Sequence, residues 1–490
     1  VKLERLGFLA AFLVPAIVYV ASASPEPASW DTAELQGVPY ILGISHPTGF
    51  PFYTLLGYVW SHLIPFGSVA LRLNAMSGVA IAVACAAAYG VALEFGASGA
   101  IALFATLWFA LTQNVWAHAS RAEAQDLAVM CSALAIYVFV RWMKTGADRW
   151  FAAAFALVGL GMAAHPNALW LLPGLIVGAV VAKRPTARVS FKLIAISVSL
   201  MVGGLLLYLY LPLRSAYVVA HGLDPTASLP GAGGGLFWNY NDPRTLHGLI
   251  SELTGTETET PAYFLASLNP IHIQDALWAF ISGIESQYGA FALVLVLIGA
   301  VTAWRRDWRT ALFLCIACTA GLVFSIVYPN ESDVGRYRLL ESWLAVPLLG
   351  ALTPARGSGL ATGLTRAGLL LFLVVNAGIA LDRQRGFFHH TPAEGGRWVI
   401  NAVRPHVPPG SVLVTNWLDA TSLAYGAYVD HSLPGRIIVS DDSLRADLYR
   451  PWTKSHRVFI LVNPHDIGQI WGTRDYGTLD AYHELYEVRP

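Results

Sequence analysis

Stretches of about twenty residues with almost no charge recur along this chain, and nothing constrains its fold more. A helix crossing the hydrocarbon of a bilayer needs about 20 apolar residues, and its backbone must satisfy its own hydrogen bonds there. Crossings are predicted near 6–23, 73–95, 98–115, 125–143, 150–165, 168–182, 191–212, 276–303, 310–328, 338–353 and 362–381, about eleven in all. Of the 490 residues, 55% are hydrophobic and 13% charged, against about 25% charged in soluble domains. A polytopic α-helical membrane protein follows, with the lipid bilayer as its first partner. The formal net charge is zero, so no basic field exists to draw nucleic acid.

Charge placement fixes the topology. Lys2 and Arg5, Arg141 with Lys144 and Arg149, Lys183 with Arg184 and Arg188, Arg305-Arg306-Arg309, and Arg356 with Arg366 fall in alternate loops. The positive-inside rule puts all of them in the cytoplasm. His165-Pro166-Asn167 breaks the 150–182 run, and basic clusters on both sides of it require a hairpin of two crossings. The segment after the first helix, the loops near 116–124, 213–275 and 329–337, and the tail then face outward. The N-terminus admits two readings. Ala21-Ser22-Ala23 after an apolar run fits a signal peptide, whereas an uncleaved first helix keeps the following acidic segment anchored, and is preferred here. Cys85, Cys131, Cys315 and Cys318 all lie inside apolar runs, so no disulfide framework is expected. Cys315 and Cys318 read as small packing residues.

From about Arg383 the composition changes. SVLVTNW, RIIVSDD and HRVFILVNP read as short buried strands separated by helical segments. About 100 residues suffice for an independent fold, and a small α/β domain over 383–490 is expected, after a transmembrane domain over 1–382. GAGGG, Gly231 to Gly235, follows no strand and reads as a flexible turn. No long internal repeat is found.

The outward segments hold an unusual polar set: Asp31, Glu34 and His46 in the first loop (24–71), then His118, Arg121, Glu123 and Asp126, His165, Arg214, Asp333, Arg336 and Arg338. Charges at membrane depth are costly and persist where they pair or line a wet cavity. The positive-inside rule works against arginines on this face, so they need another reason: pairing with carboxylates, or a phosphate, which suits the planar guanidinium fork. Asp31 and Glu34 lie three apart and share a face if WDTAEL starts a helix. Glu34 could cap or position as well as do chemistry. His165 fits a phosphate contact or a hairpin-tip hydrogen bond equally.

WDTAEL followed by GISHPTGFPFYTLLG resembles the signature of a family of multi-pass proteins related to protein O-mannosyltransferases, formerly catalogued as a domain of unknown function. Its acidic–Ser/Thr–small–Glu element falls on Asp31, Thr32, Ala33 and Glu34, and its His-Pro turn on Gly43, Ile44, His46, Pro47, Gly49, Phe50 and Pro51. SRAEAQDL, GMAAHPNAL, YLYLPLRS and NDPRTLHGLISELTG fit as well, so the likeness runs from about 6 to 270 and more loosely to 380. Ala124-Gln125 departs from the family's aliphatic-Tyr pair, which leaves Gln125 and Asp126 without a role. The resemblance implies a GT-C glycosyltransferase that uses a polyprenyl-phosphate sugar, mannose being the family's suggestion. Its active site would face the non-cytoplasmic side, with membrane-parallel helices in the first outer loop and Asp31 as catalytic base. The acceptor would be a protein, Ser/Thr of exported proteins being one option, or a glycan.

On that reading an acceptor hydroxyl loses its proton to Asp31 and attacks the anomeric carbon in a single inverting displacement. The leaving lipid phosphate needs cations, for which Arg121, Arg214, Arg336 and Arg338 are candidates. Glu123 and His46 would orient the acceptor, the sugar or Asp31. No cofactor is expected. A divalent metal is an option, Asp31, Glu34 and His118 being ligand types, but arginines alone can neutralise one monophosphate. The competing readings are a transporter of a lipid-linked or small polar solute, which would carry polar groups at mid-membrane and repeated halves, and a non-catalytic lipid-binding or assembly protein.

Overall fold

The computed structural model describes residues 2–182, 189–232, 235–255, 265, 268–327, 334–354, 359–390, 395–462, 473–478 and 484–490. Lys183, Arg184, Arg188, Arg356, and Gly233 with Gly234 of the glycine run lie outside them. The chain is mostly helical and divides into two compact units. One comprises Val1–Ala23, Ser77–Leu207 and Glu259–His389; the other comprises Ser24–Met76, Tyr208–Thr258 and His390–Pro490.

Six helices among the described residues are long and apolar enough to cross a membrane: Glu4–Ala21, Val69–Glu94, Ala124–Thr145, Phe191–Ala220, Ala290–Ile326 and Leu360–Arg383. A seventh is formed if Gly99–Ala110 and Gln113–Ala119, bent by 71°, count as one span. The protein is a multi-pass membrane protein. The larger number of crossings expected from apolar runs meets shorter helices instead. Asp148–Ala164 has 17 residues, Pro166–Val181 is a short apolar helix, and Leu339–Ala351 has 13. The run expected at 276–303 is interrupted at Gly289, whose φ of 79° no helix tolerates. The helix Ala290–Thr319 is broken at Asp307 (φ −155°, ψ 80°), between the arginines that were expected to form an inner loop.

In the first unit the polar contacts sort by helix end. Lys144 Nζ donates to Asp307 Oδ2 (2.7 Å) and Arg141 to Glu94 (2.9 Å). Arg306 donates to the carbonyls of Phe95 (3.1 Å) and Thr353. All of these segments were expected on one face. At the opposite end Trp116 Nε1 donates to Ser22 Oγ (2.7 Å), Ser22 meets Ser120 (3.0 Å), and Asn114 Nδ2 donates to the Gly335 carbonyl (3.0 Å). Buried aromatic tips are likewise satisfied, Trp343 by the Ala84 carbonyl (2.8 Å) and Tyr19 by that of Ala110 (2.7 Å). The core of this unit is alanine-rich, with Trp108, Trp142, Phe139 and Phe313 as its large members.

The second unit is built around a five-stranded sheet: β1 (Val412–Thr415), β2 (Ile437–Ser440), β3 (Val458–Val462), β4 (Thr473–Thr478) and β5 (Glu484–Val488), in the order β2-β1-β3-β5-β4. β1, β2 and β3 are parallel and match the three strands expected from sequence; the antiparallel β4–β5 pair extends them. Side chains alternate between two cores. Leu413, Phe459, Leu461 and Leu485 face one that includes Ile400, Leu423, Val38 and Phe237. Val412, Val414, Val458 and Ile460 face another with Leu229, Tyr449 and Trp452. The same unit contains the Trp30–Ile41 and Pro51–Leu63 helices, from the segment expected as the first outer loop.

Small residues let membrane helices approach to backbone contact. A Cβ on Gly159 would collide with the Met201 carbonyl, and one on Gly204 with the backbone of Gly159 and Leu160. Gly159→Leu should therefore lower stability by about 1–3 kcal/mol. Unfolding in detergent would register this, while Gly203→Leu, whose Cβ would enter open space, should change little.

Candidate active site

The acidic motif forms the first turns of the Trp30–Ile41 helix. Ser29 is extended at its N-cap, Trp30 is left-handed (φ 56°), and Asp31 lies in the first turn, where the helix dipole favours an anion. The helix ends at Leu42, left-handed, and the Arg214 guanidinium closes that end by donating to the carbonyls of Leu42 and Ile41 (3.1 Å to the latter). A cation at a helix C-terminus is the stabilising sign. Gly43 follows because the Phe237 carbonyl occupies the space of its missing side chain, and its own carbonyl accepts from Tyr210 Oη (2.8 Å).

The chain then turns back onto the helix. The His46 carbonyl accepts from Gly49 N (2.9 Å), Gly49 and Phe50 are left-handed (φ 76° and 42°), and Pro51 starts the next helix, where its missing N–H costs nothing. A left-handed bulky residue is a strained one. Trp30 and Phe50 both belong to the quoted motif. Gly49 lies against Glu252 Oε1 and Leu211, and the fully buried Glu252 also accepts from Asn241 Nδ2 (3.1 Å).

This turn brings Asp31, Glu34 and His46 together. Glu34 is 0% exposed and both of its oxygens are used by His46: Oε1 accepts from the backbone N (2.9 Å) and Oε2 meets ring Nδ1. His46 Nε2 is 3.9 Å from Asp31 Oδ2, with the two side chains 22% and 25% exposed. Asp31 Oδ1 accepts from Trp417 Nε1 (2.9 Å). Burial raises the Glu34 pKa, the charge and hydrogen bonds of His46 pull it back, and the Asp31 charge adds to the rise. Asp242 is held below the ordinary carboxylate range: burial opposes ionisation, but hydrogen bonds from Arg244, Ser215 and Asn239 outweigh it.

The remaining candidates fall in the other unit. Glu123 is buried and its carboxylate lies 3.6 Å from both Arg121 and Arg336. Arg121 Nη2 donates to His118 Nδ1 (3.0 Å). Arg336 stacks on Tyr337 and Arg338 on Phe280. His165 Nδ1 accepts from Asn167 N (3.3 Å), and its ring is 5.8 Å from that of Tyr337. Gln125 and Asp126 are buried at the start of the Ala124–Thr145 helix. Asp333 lies outside the described residues. Among those described, no group of three or more His, Cys, Asp or Glu is arranged to hold a metal ion. Trp417 is the residue that sequence reasoning missed. It closes the predicted strand SVLVTNW, and nothing in the sequence ties it to Asp31, 386 positions away.

Comparison with known proteins agrees with the motif. Residues 31–188 match the family model described as the protein O-mannosyl-transferase TMEM260 N-terminal domain, so the match begins at Asp31. That segment is similar to the N-terminal domain of the TMEM260-type protein O-mannosyl-transferases. It is 27% identical over 263 residues to the mouse protein O-mannosyl-transferase TMEM260, covering 52% of this chain and 34% of that protein. To the Dictyostelium discoideum protein of the same name it is 27% identical over 135 residues, covering 27% and 16%. The chain thus spans about a third or less of the length of these relatives. ArnT from Cupriavidus metallidurans superposes over 99% of both chains at 13% identity with a TM-score of 0.52. Its undecaprenyl phosphate complex gives 0.55, over 99% of this chain and 98% of that one, again at 13% identity. The oligosaccharyltransferase of Archaeoglobus fulgidus gives 0.50 at 10% identity, over 92% and 68%. The fold is ArnT-like.

Because the fold holds the Glu34 proton more tightly than the unfolded chain does, that contribution is complete below the ordinary glutamate range and fades as pH rises through the raised value. As pH rises above the ordinary glutamate range, the unfolding temperature of the wild type should fall relative to Glu34→Gln. Parallel curves in a fluorimetric pH series would show that Glu34 titrates normally.

Proposed function

We propose that this protein is a membrane glycosyltransferase that moves a sugar from a polyprenyl-phosphate donor to an acceptor hydroxyl on the non-cytoplasmic face, with Asp31 as general base. One observation carries the reading. Asp31 is a partly exposed carboxylate at a helix start, oriented by Trp417 and backed by the His46–Glu34 pair. The names of the TMEM260 relatives support an O-mannosyl transfer to protein, with mannose as the sugar; Ser/Thr of exported proteins is the acceptor we assign. The undecaprenyl phosphate bound to the ArnT neighbour supports a polyprenyl-phosphate donor.

The acceptor O–H bond breaks and its proton passes to Asp31. The oxygen forms a bond to the anomeric carbon as the carbon–oxygen bond to the lipid phosphate breaks, inverting that centre. A carboxylate within hydrogen-bond reach of the hydroxyl suffices for the first part. Glu34, closed in by His46, is assigned to positioning rather than proton transfer, and His46 to holding the turn beside Asp31. Arg121, Arg336 and Arg338 are assigned to the donor phosphate, with His165 and Asp333 as further donor contacts and Glu123 orienting the two arginines it pairs with. Arg214 is assigned to the end of the helix that carries Asp31. We divide the chain into a catalytic membrane domain over 1–382 and a non-cytoplasmic α/β domain over 383–490. The short helices complete about eleven crossings by lying where the bilayer is thin or covered by neighbours.

Asp31→Asn should reach the membrane in normal amount and lose transfer by roughly 100- to 10,000-fold, measured as label moved from polyprenyl-phosphate sugars. Full activity would remove Asp31 from the mechanism. Trp30 is 58% exposed, so a cysteine there should react with a membrane-impermeant maleimide from the non-cytoplasmic side. Labelling only after the cytoplasmic face is opened would invert the proposed orientation.

A further inference from the structure

The residues that lead into the acidic motif, Glu26 to Ser29, lie in neither helix nor strand, so other segments of the second unit must take up their backbone groups. One partner comes from the motif helix itself. Gln36 Oε1 accepts from Ala28 N (2.8 Å), and Gln36 Nε2 donates to Asn74 Oδ1 (3.0 Å). The others come from the C-terminal region. Gly396 N donates to the Pro27 carbonyl (2.9 Å) and Ser422 Oγ to the Ala28 carbonyl (2.9 Å). Arg397 Nε donates to Glu26 Oε2 (2.6 Å) while its Nη2 donates to Asp430 Oδ2 (2.6 Å).

Two glycines permit this approach. Gly395 has φ 57° and ψ −137°, a conformation essentially reserved to glycine. A Cβ on Gly396 would collide with the Ala28 carbonyl and the Ser422 side chain at once. Gly396 also opens the Gly396–Val403 helix, so the N–H it gives to Pro27 is one that the helix cannot use itself.

We propose that Gly395-Gly396-Arg397 is a clasp that seats the Glu26–Ser29 segment and so fixes where the Asp31 helix begins, with Arg397 as its positioning residue. This rests on the glycosyltransferase reading. The clasped backbone ends one residue before Trp30, whose left-handed φ of 56° is kept only where the surroundings over-determine it. Arg397 divides its planar fork between two carboxylates. Asp430 lies just beyond the Trp417–Tyr428 helix that carries Ser422, and Glu26 belongs to the seated segment. The Arg397, Glu26 and Asp430 side chains are 19%, 26% and 23% exposed, so salt screens them less than it would a surface pair. Arg397 acts on the base through the backbone of residues 26–30. The C-terminal region, which the sequence signature does not reach, thereby holds in place the carboxylate that the signature supplies.

The test uses the full-length protein in membranes with labelled polyprenyl-phosphate sugar. Arg397→Gln and Glu26→Gln should each lower kcat about tenfold, a small displacement of a reacting group being enough for that, with the donor KM within about twofold. The double variant should lose no more than about twofold beyond Arg397→Gln, because both changes break one contact. Ser422→Ala removes only the hydroxyl on the Ala28 carbonyl; it should lower kcat about threefold, and serves if the charge variants fold poorly. In an Asp31→Asn background, Arg397→Gln should change the residual single-turnover rate less than about twofold, whereas general damage would lower it as much as in the wild type. Unchanged kcat in the single variants, additive losses in the double variant, or an equal loss in the Asp31→Asn background would overturn the clasp. Full activity of Asp31→Asn alone would instead overturn the reading beneath it.

Discussion

The closure of Glu34 by His46 is the contact on which the acidic site depends. A glutamate with no exposed surface is costly unless both oxygens find partners. Here one oxygen takes the backbone N–H of His46 and the other takes its ring. That pair joins the first turns of the Trp30–Ile41 helix to a turn twelve residues later. Leu42, Gly49 and Phe50 are left-handed to make the return possible, and Gly43 is a glycine because a carbonyl fills its side-chain space. Once the turn is fixed, Asp31 has His46 Nε2 3.9 Å from Oδ2 and the Trp417 indole donating to Oδ1.

The polar residues of the segments expected to face outward, similar in composition, do different things. Arg214 completes a helix end and stacks on Tyr217, so its charge is used to stabilise the element that carries Asp31. Arg121 and Arg336 converge on one buried carboxylate, Glu123.

The helices of the first unit use the same economy of space. Where the chain has glycine at 159, 174 and 204, the neighbouring helix runs at backbone distance. Where it has tryptophan at 116 or 343, the indole reaches a buried acceptor. Basic residues at one end pair with Glu94 and Asp307 rather than standing alone.

The sequence by itself determined the membrane character, three of the five strands, and the helix-and-turn motif with Asp31, Glu34 and His46. These follow from local periodicity, charge asymmetry and a contiguous signature, all readable within a few dozen residues. Four things were decided only by tertiary structure. They are the break at Gly289, the antiparallel β4–β5 extension, the commitment of Arg214 to a helix end, and the indole of Trp417 on Asp31. Each depends on contacts between distant segments, or on the balance between an unbroken apolar run and one glycine's backbone. A residue nearly four hundred positions away leaves no mark on the local pattern around the group it holds.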